Sequence, residues 1–485
     1  MLINGEWVQA SDSGTFESID PSTGKVWATF PEATEQDVDA AVEAAHGAFE
    51  SSEWRNMSPT QRGRCLRRLA DILEENADLL GATETKDTGK LYRETRTQTT
   101  YLSDFYHFFS GCADKVNGET LPIDKPEMFV FTRREPIGVV AAIVPWNSQL
   151  FLAAIKLGPA LAAGNTVVLK ASENAPAPLL EFGRFIDRAG IPPGVVNILT
   201  GHGDPCGRSL TSHPLVERIA FTGGPASARR VVENSAANFA GLVLELGGKS
   251  PVLVFDDADV DSAVNGSLGA IFGASGQSCV AGSRLYVQES IADEFLVKLV
   301  AKAKQICVGD PMDKATDMGP LCTFAQIENI LREVGVAVNE GAEVLCGGDR
   351  LDELGGHYFA PTILSCPTQD IGILNRELFG PVLAVQRFRG EEEAIRLAND
   401  TKYGLAAGVF TKDSARSLRL VEKISAGIIY VNTYRAVSPI AAHGGFKSSG
   451  YGRESGIQAI YDYTRSKTVW MNTSSQPLES QFVVR

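Results

Sequence analysis

The stretch GVVAAIVPWNSQLFLAAIKLGPALAAGNTVVLK, residues 138–170, decides the fold. A short apolar run, GVVAAIVP (138–145), gives way to a helical segment beginning near Phe151 and then to a second apolar run, TVVLK (166–170). Strands that are apolar throughout are buried on both faces, and strands joined through a helix run parallel. The rhythm continues downstream, where GVVNILT (194–200) and RIAFTG (218–223) alternate with helical segments beginning near Ala175, Asp204 and Ala226. Such alternation is the signature of βαβ units and of an α/β fold built on a parallel sheet.

Working outward, residues 35–49 and 59–80 place apolar residues at helical spacing and predict an amphipathic helical opening. A second alternating series starts at PVLVF (251–255), passes through a helix over 259–272 and runs to about Val431, which predicts a second domain. The chain of 485 residues is longer than one hydrophobic core usually organises. The segment 115–134 reads as an extended excursion, and the last twenty or so residues alternate as strands; both are placed to pair with another subunit.

Hydrophobic residues make up 44% and charged residues 21%, an ordinary globular balance without a disordered block. The net charge of −14 carries no basic run, which argues against a nucleic-acid partner. No apolar run reaches the roughly 18 residues a membrane helix needs, and the first residues lack the basic and apolar regions of a secretory signal. A cytoplasmic protein is therefore expected, with no membrane partner. The eight cysteines are scattered without zinc spacing, so neither a disulfide framework nor a metal site is expected.

Two glycine motifs fail on inspection. GHGDPC (201–206) follows a strand, but Cys206 stands where a dinucleotide fingerprint needs glycine or alanine. GGKS (247–250) ends like a P-loop, yet Val243 occupies the place of its first glycine.

Chemistry concentrates in three other segments. GQSCVAGSR (276–284) holds Cys279 between small residues beyond an apolar helix; taken alone, such a cysteine is a small buried hydrophobe. LELGGKSP (244–251) ends an apolar strand on Glu245, where a lone carboxylate is costly unless it has a task. PWNSQ (145–149) puts Asn147 where a strand stops, the edge at which parallel sheets present functional groups.

With FTGG (221–224), LKASE (169–173) and ELFGP (377–381), these segments together resemble the aldehyde dehydrogenase superfamily, from NGEW near the start to GGFKSSGYGRE (444–454) near the end. The resemblance implies a non-acylating, NAD(P)-dependent enzyme that oxidises an aldehyde to a carboxylic acid through a thiohemiacetal and then a thioester on Cys279. It implies a Rossmann-like cofactor domain over 1–114 and 135–247, a catalytic α/β domain over 248–441, and bridging strands over 115–134 and 462–485 that build a homodimer or homotetramer. Cys279 would be the nucleophile, Asn147 an oxyanion donor and Glu245 the base that deprotonates the hydrolytic water.

Carried over in the same way, Trp146, Gly223, Gly224 and Phe379 fall in the cofactor site. Lys170 and Glu173 match positions that hold the adenosine ribose, and Glu377 the carboxylate at the nicotinamide ribose. Glu173 favours NAD over NADP, because a carboxylate repels a 2′-phosphate; NADP stays the alternative cofactor. Gly224 departs from a common serine, Ala228 from a glycine and Ala274 from an asparagine.

Tyr101, Ser148, Phe151, Leu152, Ile155, Ser278 and Val280 are expected to line the aldehyde tunnel. Tyr434, Arg435, Val437 and His443 are expected at its mouth, with Arg435 its sole obvious cation. A wall of this kind predicts a medium-sized apolar or aromatic aldehyde. The alternatives are a semialdehyde dehydrogenase acting on a carboxylate- or amine-bearing aldehyde, and a coenzyme A-acylating enzyme, whose relatives usually lack the glutamate found here as Glu245. A Cys/Glu esterase is opposed by the ribose-holding residues.

Overall fold

The computed structural model describes residues 1–478. Helix α1 (Glu35–Glu50) starts at Thr34, whose side chain and that of Asp37 form a reciprocal capping box. Farther on, the long α2 (Tyr92–Cys112) leads towards the first sheet. The expected helix over 59–80 is two helices, Pro59–Glu75 and Ala77–Thr88, because the backbone leaves helical geometry at Asn76 (φ −110°, ψ 19°), whose side-chain amide shares the Ile72 carbonyl (2.7 Å) with its own backbone N–H.

Five parallel strands form the centre of an eight-stranded sheet: β1 (Val139–Ile143), β2 (Thr166–Lys170), β3 (Val196–Leu199), β4 (Val216–Thr222) and β5 (Gly241–Glu245). Their spatial order is β5-β4-β1-β2-β3. Leu2–Ile3 runs antiparallel beside β3, and Gly450–Tyr451 runs antiparallel beside β5 at the opposite edge. Chain order reverses at β1, so a crevice opens between the carboxyl ends of β1 and β4.

The continuous apolar character of β1 has its explanation here. Val139, Ala141 and Ile143 pack into one core with Val38, Ala41 and Val42 of α1. Val140, Ala142 and Val144 face the opposite core, with Leu102, Phe105 and Phe109 of α2 and most of α3 (Gln149–Ala163). Each fully buried valine of this kind contributes roughly 1.5–3 kcal/mol of transfer free energy. Buried among these layers, Lys156 of α3 (0% exposed) pairs with Glu454 (2% exposed) and donates to Thr222 Oγ1 at 2.8 Å. Beyond β4 the chain turns into α4 (Pro225–Ser235).

Residues 246–250 alone separate β5 from the second sheet, so the end of the first sheet abuts the second unit. That sheet contains β6 (Pro251–Val254), β7 (Arg284–Gln288), β8 (Thr362–Ser365), β9 (Val382–Phe388), β10 (Ala406–Phe410) and β11 (Ile428–Val431). Its order is β8-β9-β7-β6-β10-β11, all parallel, with Glu343–Cys346 antiparallel at the edge. Helix α5 (Val260–Phe272) joins β6 to β7.

A third, three-stranded sheet pairs Met128–Pro136 antiparallel with Thr464–Asn472 along its whole length. Phe129, Trp470 and Met471 remain exposed on it. Residues 479–485, the end of the expected bridging strands, lie outside the described residues. No helix among the described residues is long and apolar enough to cross a membrane.

Candidate active site

A cavity of about 930 Å³ occupies the crevice between β1 and β4 and extends to the second sheet. Trp146, Asn147 and Ser148 enter it from the end of β1, Gly223 and Gly224 from the end of β4, and Glu245 from the end of β5. Ser278, Cys279 and Val280 enter from the loop before β7.

That loop is unusual from its first residue. After α5 ends, Ala274 (φ 51°), Ser275 (φ 53°) and Gly276 (φ 73°) are all left-handed. A non-glycine residue there costs about 1–2 kcal/mol. The turn is held by Ser275 Oγ donating to Gly319 O (2.8 Å), by Arg435 donating to Gly273 O (2.7 Å) and by the Ala274 N–H on Glu94 (3.3 Å). A Cβ on Gly276 would lie 2.2 Å from the Gly380 carbonyl, so no larger residue fits. Asparagine tolerates this region better than alanine, which gives a backbone reason for the asparagine that the family resemblance leads one to expect at position 274.

Cys279 ends the loop half-buried. Its backbone is clasped by Gly248, where a Cβ would come within 2.6 Å of the Cys279 carbonyl. Burial, then the negative charges of Glu245 and Glu377, push its thiol up to about 12. The resting thiol is therefore protonated near neutrality and requires a base or a nearby positive charge before it can attack.

Glu245 is 3% exposed, and neither carboxylate oxygen has a hydrogen-bond partner among the described residues. His443 Nδ1 approaches Oε2 at 3.2 Å without the alignment of a hydrogen bond. Burial draws the imidazole down most strongly, but Glu245, with Glu454 behind it, outweighs burial and raises its pKa above the ordinary value. Asn147 donates one amide N–H to the Gln277 carbonyl (2.9 Å), and its second amide proton is free for a ligand in the cavity.

The opposite end suits a dinucleotide. Gly224 caps α4 with no side-chain hydrogen bond, Pro225 takes the first helical position, and a Cβ on Gly224 would meet nothing within 4 Å. The space beside the helix start at Gly224 is thus open, as an anionic phosphate requires. Glu377 accepts from the Gly248 N–H (2.9 Å), and burial pushes its carboxyl up to about 7. Trp146 and Phe379 meet edge to face at 5.4 Å beside it. Lys170 and Glu173 stand outside the cavity lining, at the end of β2, 3.7 Å apart. Among the described residues no cluster of three His, Cys, Asp or Glu side chains is arranged to hold a metal.

Tyr101, Ser148, Phe151, Leu152, Ile155, Ser278, Val280, Arg435, Val437 and His443 all line the cavity. Tyr434 does not: it packs under Tyr430 and turns its hydroxyl onto the Val280 carbonyl (3.0 Å), propping the Cys279 loop from outside. Nor is Arg435 the sole cation, since Lys90 and Arg93 share the wall with Glu94, Gln98 and Phe105. Sequence reasoning missed these, although a signal existed. Glu94, Gln98, Tyr101 and Phe105 recur at helical spacing on one face of α2, so the Tyr101 assignment implied its neighbours.

The model of the aldehyde dehydrogenase family matches residues 7–469. The chain is 52% identical, over 100% of its length and 99% of the relative's, to the (Z)-2-((N-methylformamido)methylene)-5-hydroxybutyrolactone dehydrogenase of Acinetobacter baylyi. An NAD+ complex of an aldehyde dehydrogenase from Bacillus cereus superposes with a TM-score of 0.96 at 39% identity, covering 98% of this chain and 96% of that one. A betaine aldehyde dehydrogenase from Staphylococcus aureus, also with NAD+, superposes at 0.97 and 37% identity, covering 99% and 97%.

Proposed function

The chain belongs to the aldehyde dehydrogenase family and is an NAD(P)-dependent oxidoreductase acting on aldehydes, and on that premise we propose that oxidation runs through a covalent thioester on Cys279. The observation that carries this reading is an unpartnered buried carboxylate, Glu245, in one cavity with a thiol that burial keeps protonated.

Cys279 gives up its thiol proton to solvent in the cavity and its sulfur attacks the aldehyde carbon; the carbonyl π pair moves onto oxygen, where the free N–H of Asn147 and the Cys279 backbone N–H receive the charge. A preorganised donor of this kind is worth roughly 3 kcal/mol in the transition state. NAD+, when bound, supplies the hydride acceptor and a positive charge beside the thiol. Glu245 then takes a proton from water, which attacks the thioester carbon; the C–S bond breaks, the proton passes to the departing Cys279 sulfur, and the carboxylic acid leaves. Its presence favours hydrolysis over transfer to coenzyme A.

Gly223 and Gly224 offer backbone N–H groups to the pyrophosphate, Glu377 holds the nicotinamide ribose, Lys170 and Glu173 the adenosine ribose, and Trp146 and Phe379 wall the channel between. Glu173 gives NAD the advantage over NADP. The first sheet with its helices forms the cofactor domain, over 1–114 and 135–247, and residues 248–441 the catalytic domain. The exposed apolar strands within 115–134 and 462–478 build a cytoplasmic homodimer or homotetramer.

Tyr101, Phe151, Leu152 and Ile155 give the tunnel an apolar, aromatic neck suited to a medium-sized aldehyde. A second reading, an aldehyde that also carries a polar oxygen, is favoured by Lys90 and Gln98 on the same wall and by the lactone and formamide in the name of the Acinetobacter relative.

Glu245→Gln tests the mechanism, because it keeps size but cannot accept a proton. Mixed with aldehyde and NAD+, the variant should release about one equivalent of NADH per site in a burst and then turn over 10² to 10⁴-fold more slowly, a range of about 100 to 10,000 typical of a lost general base. The acyl-enzyme should be visible by mass. A vanished burst would make Glu245 the activator of Cys279 instead, and unchanged turnover would remove it from the mechanism.

A further inference from the structure

Lys90 is 5% exposed, and its ammonium makes three hydrogen bonds: to Glu84 Oε1 (3.2 Å), to Gln98 Oε1 (2.9 Å) and to Ser148 Oγ (3.0 Å). An ammonium has three protons and no lone pair, so it is saturated and can only donate. That fixes its partners. Gln98 must turn its oxygen to the lysine, which leaves the amide NH2 pointing elsewhere. Ser148 must accept, which sends its hydroxyl proton elsewhere.

Neither donor makes another hydrogen bond among the described residues. Ser148 stands at the start of α3 without capping it, and neither its hydroxyl nor the Gln98 amide donates to a protein group there. Both side chains line the cavity. The nearby cations are already occupied in part by backbone: Arg435 donates to Gly273 O (2.7 Å) and Arg93 to Lys314 O (3.1 Å). Lys90 itself is neutralised by Glu84, so the wall offers directed N–H and O–H groups rather than a bare charge. A hydrogen bond accepted from an ammonium polarises the hydroxyl and the amide and strengthens what they donate onward.

We propose that Ser148 and Gln98, locked as acceptors to Lys90, form a two-pronged donor that selects aldehydes bearing a second, acceptor oxygen: a carboxylate, ester, amide or lactone carbonyl. The inference rests on the reading of this cavity as the aldehyde site and assigns the substrate class to it. Ser148 and Gln98 are specificity-determining residues, and Lys90 is a positioning residue that acts through them. An apolar aldehyde in the same tunnel strands both donors without partners, and an unmade bond of this sort costs discrimination more than a made one adds affinity.

The test uses the full chain with NAD+ and three aldehydes of matched size: 4-oxobutanoate, its methyl ester, and the apolar isostere 4-methylpentanal. The wild type should favour at least one of the oxygen-bearing pair over the isostere. In Ser148→Ala and in Gln98→Leu the ratio of kcat/KM between that substrate and 4-methylpentanal should fall by about tenfold to a hundredfold, chiefly through KM. Preference for the acid and preference for the ester both support the fork and tell whether charge matters. Equal or better use of 4-methylpentanal by the wild type, or an unchanged ratio in both variants, overturns the proposal. So does a ratio lost only in Arg435→Ala, which would place the guanidinium on the carboxylate. No turnover of any of the three would instead overturn the reading of the cavity itself.

Discussion

Two buried glutamates stand close together around β5 and have opposite surroundings. Glu454 is 2% exposed and has Lys156 as a partner, itself held by Thr222. Glu245 is 3% exposed, faces the cavity and has no hydrogen bond among the described residues, only the His443 imidazole at 3.2 Å. A buried charge with a partner holds structure together, whereas a buried charge left open to a cavity costs stability and is retained for chemistry. Burial alone separates neither; the partner does.

The comparison can be broken most forcefully at Glu245. Glu245→Gln should depress turnover by the two to four orders of magnitude that mark a lost base, yet at alkaline pH, where His443 is neutral, leave the melting temperature at or above that of the wild type, since it removes an unsatisfied charge. A large loss of stability in that variant would put the two glutamates in one class.

Glu454→Gln should behave in the reverse way, because it leaves the Lys156 ammonium buried without a counter-charge. The expected cost is about 3–5 kcal/mol, read from denaturant unfolding. Full stability would mean that Lys156 is satisfied by Thr222 alone.

His443 refines the contrast through pH. Its pKa is raised in the fold, so the stability it adds through Glu245 is fully present below about 6.5 and is lost as pH rises through the raised value. The melting-temperature gap between wild type and His443→Phe should therefore narrow from pH 6 to pH 9. A gap that widens or holds constant would show that the imidazole does not pair with Glu245 in solution.

The smallest expected effect lies in the nucleophile loop. Ala274→Asn places a residue better suited to the left-handed region and should stabilise the protein by up to about 1 kcal/mol. Destabilisation would mean that the methyl group of Ala274 packs in a way that the amide cannot.

The fold was legible because its central strands are apolar on both faces and separated by helices, a pattern no surface requirement disturbs. That Cys279, Glu245 and Asn147 meet in one cavity was legible for another reason: each lies at a strand end or in a loop on the face where parallel sheets present functional groups. Tyr434 and Lys90 were not. Whether a tyrosine in the loop after β11 turns inward or outward depends on its hydroxyl finding Val280, a contact 154 positions away. Lys90 follows the left-handed helix cap Gly89 and reads as an exposed lysine until the fold brings Glu84, Gln98 and Ser148 around it. Distant contacts such as Tyr434 to Val280 and Lys90 to Ser148 carry no periodicity, so they leave no local trace.

The antiparallel strand Gly450–Tyr451 that closes the first sheet beside β5 has a consequence for biosynthesis. The strands of the second sheet, from β6 to β11, form one uninterrupted stretch of chain, so they can pair while the ribosome is still working. The first sheet, begun earlier, waits for residues near the carboxyl terminus to cover its outermost parallel strand. At 5–20 residues per second, that edge stays bare for roughly 10–40 s on every nascent chain. An uncovered strand edge is the usual template for mispairing between chains. Crowded polysomes and rapid overexpression should therefore favour mispairing at this edge.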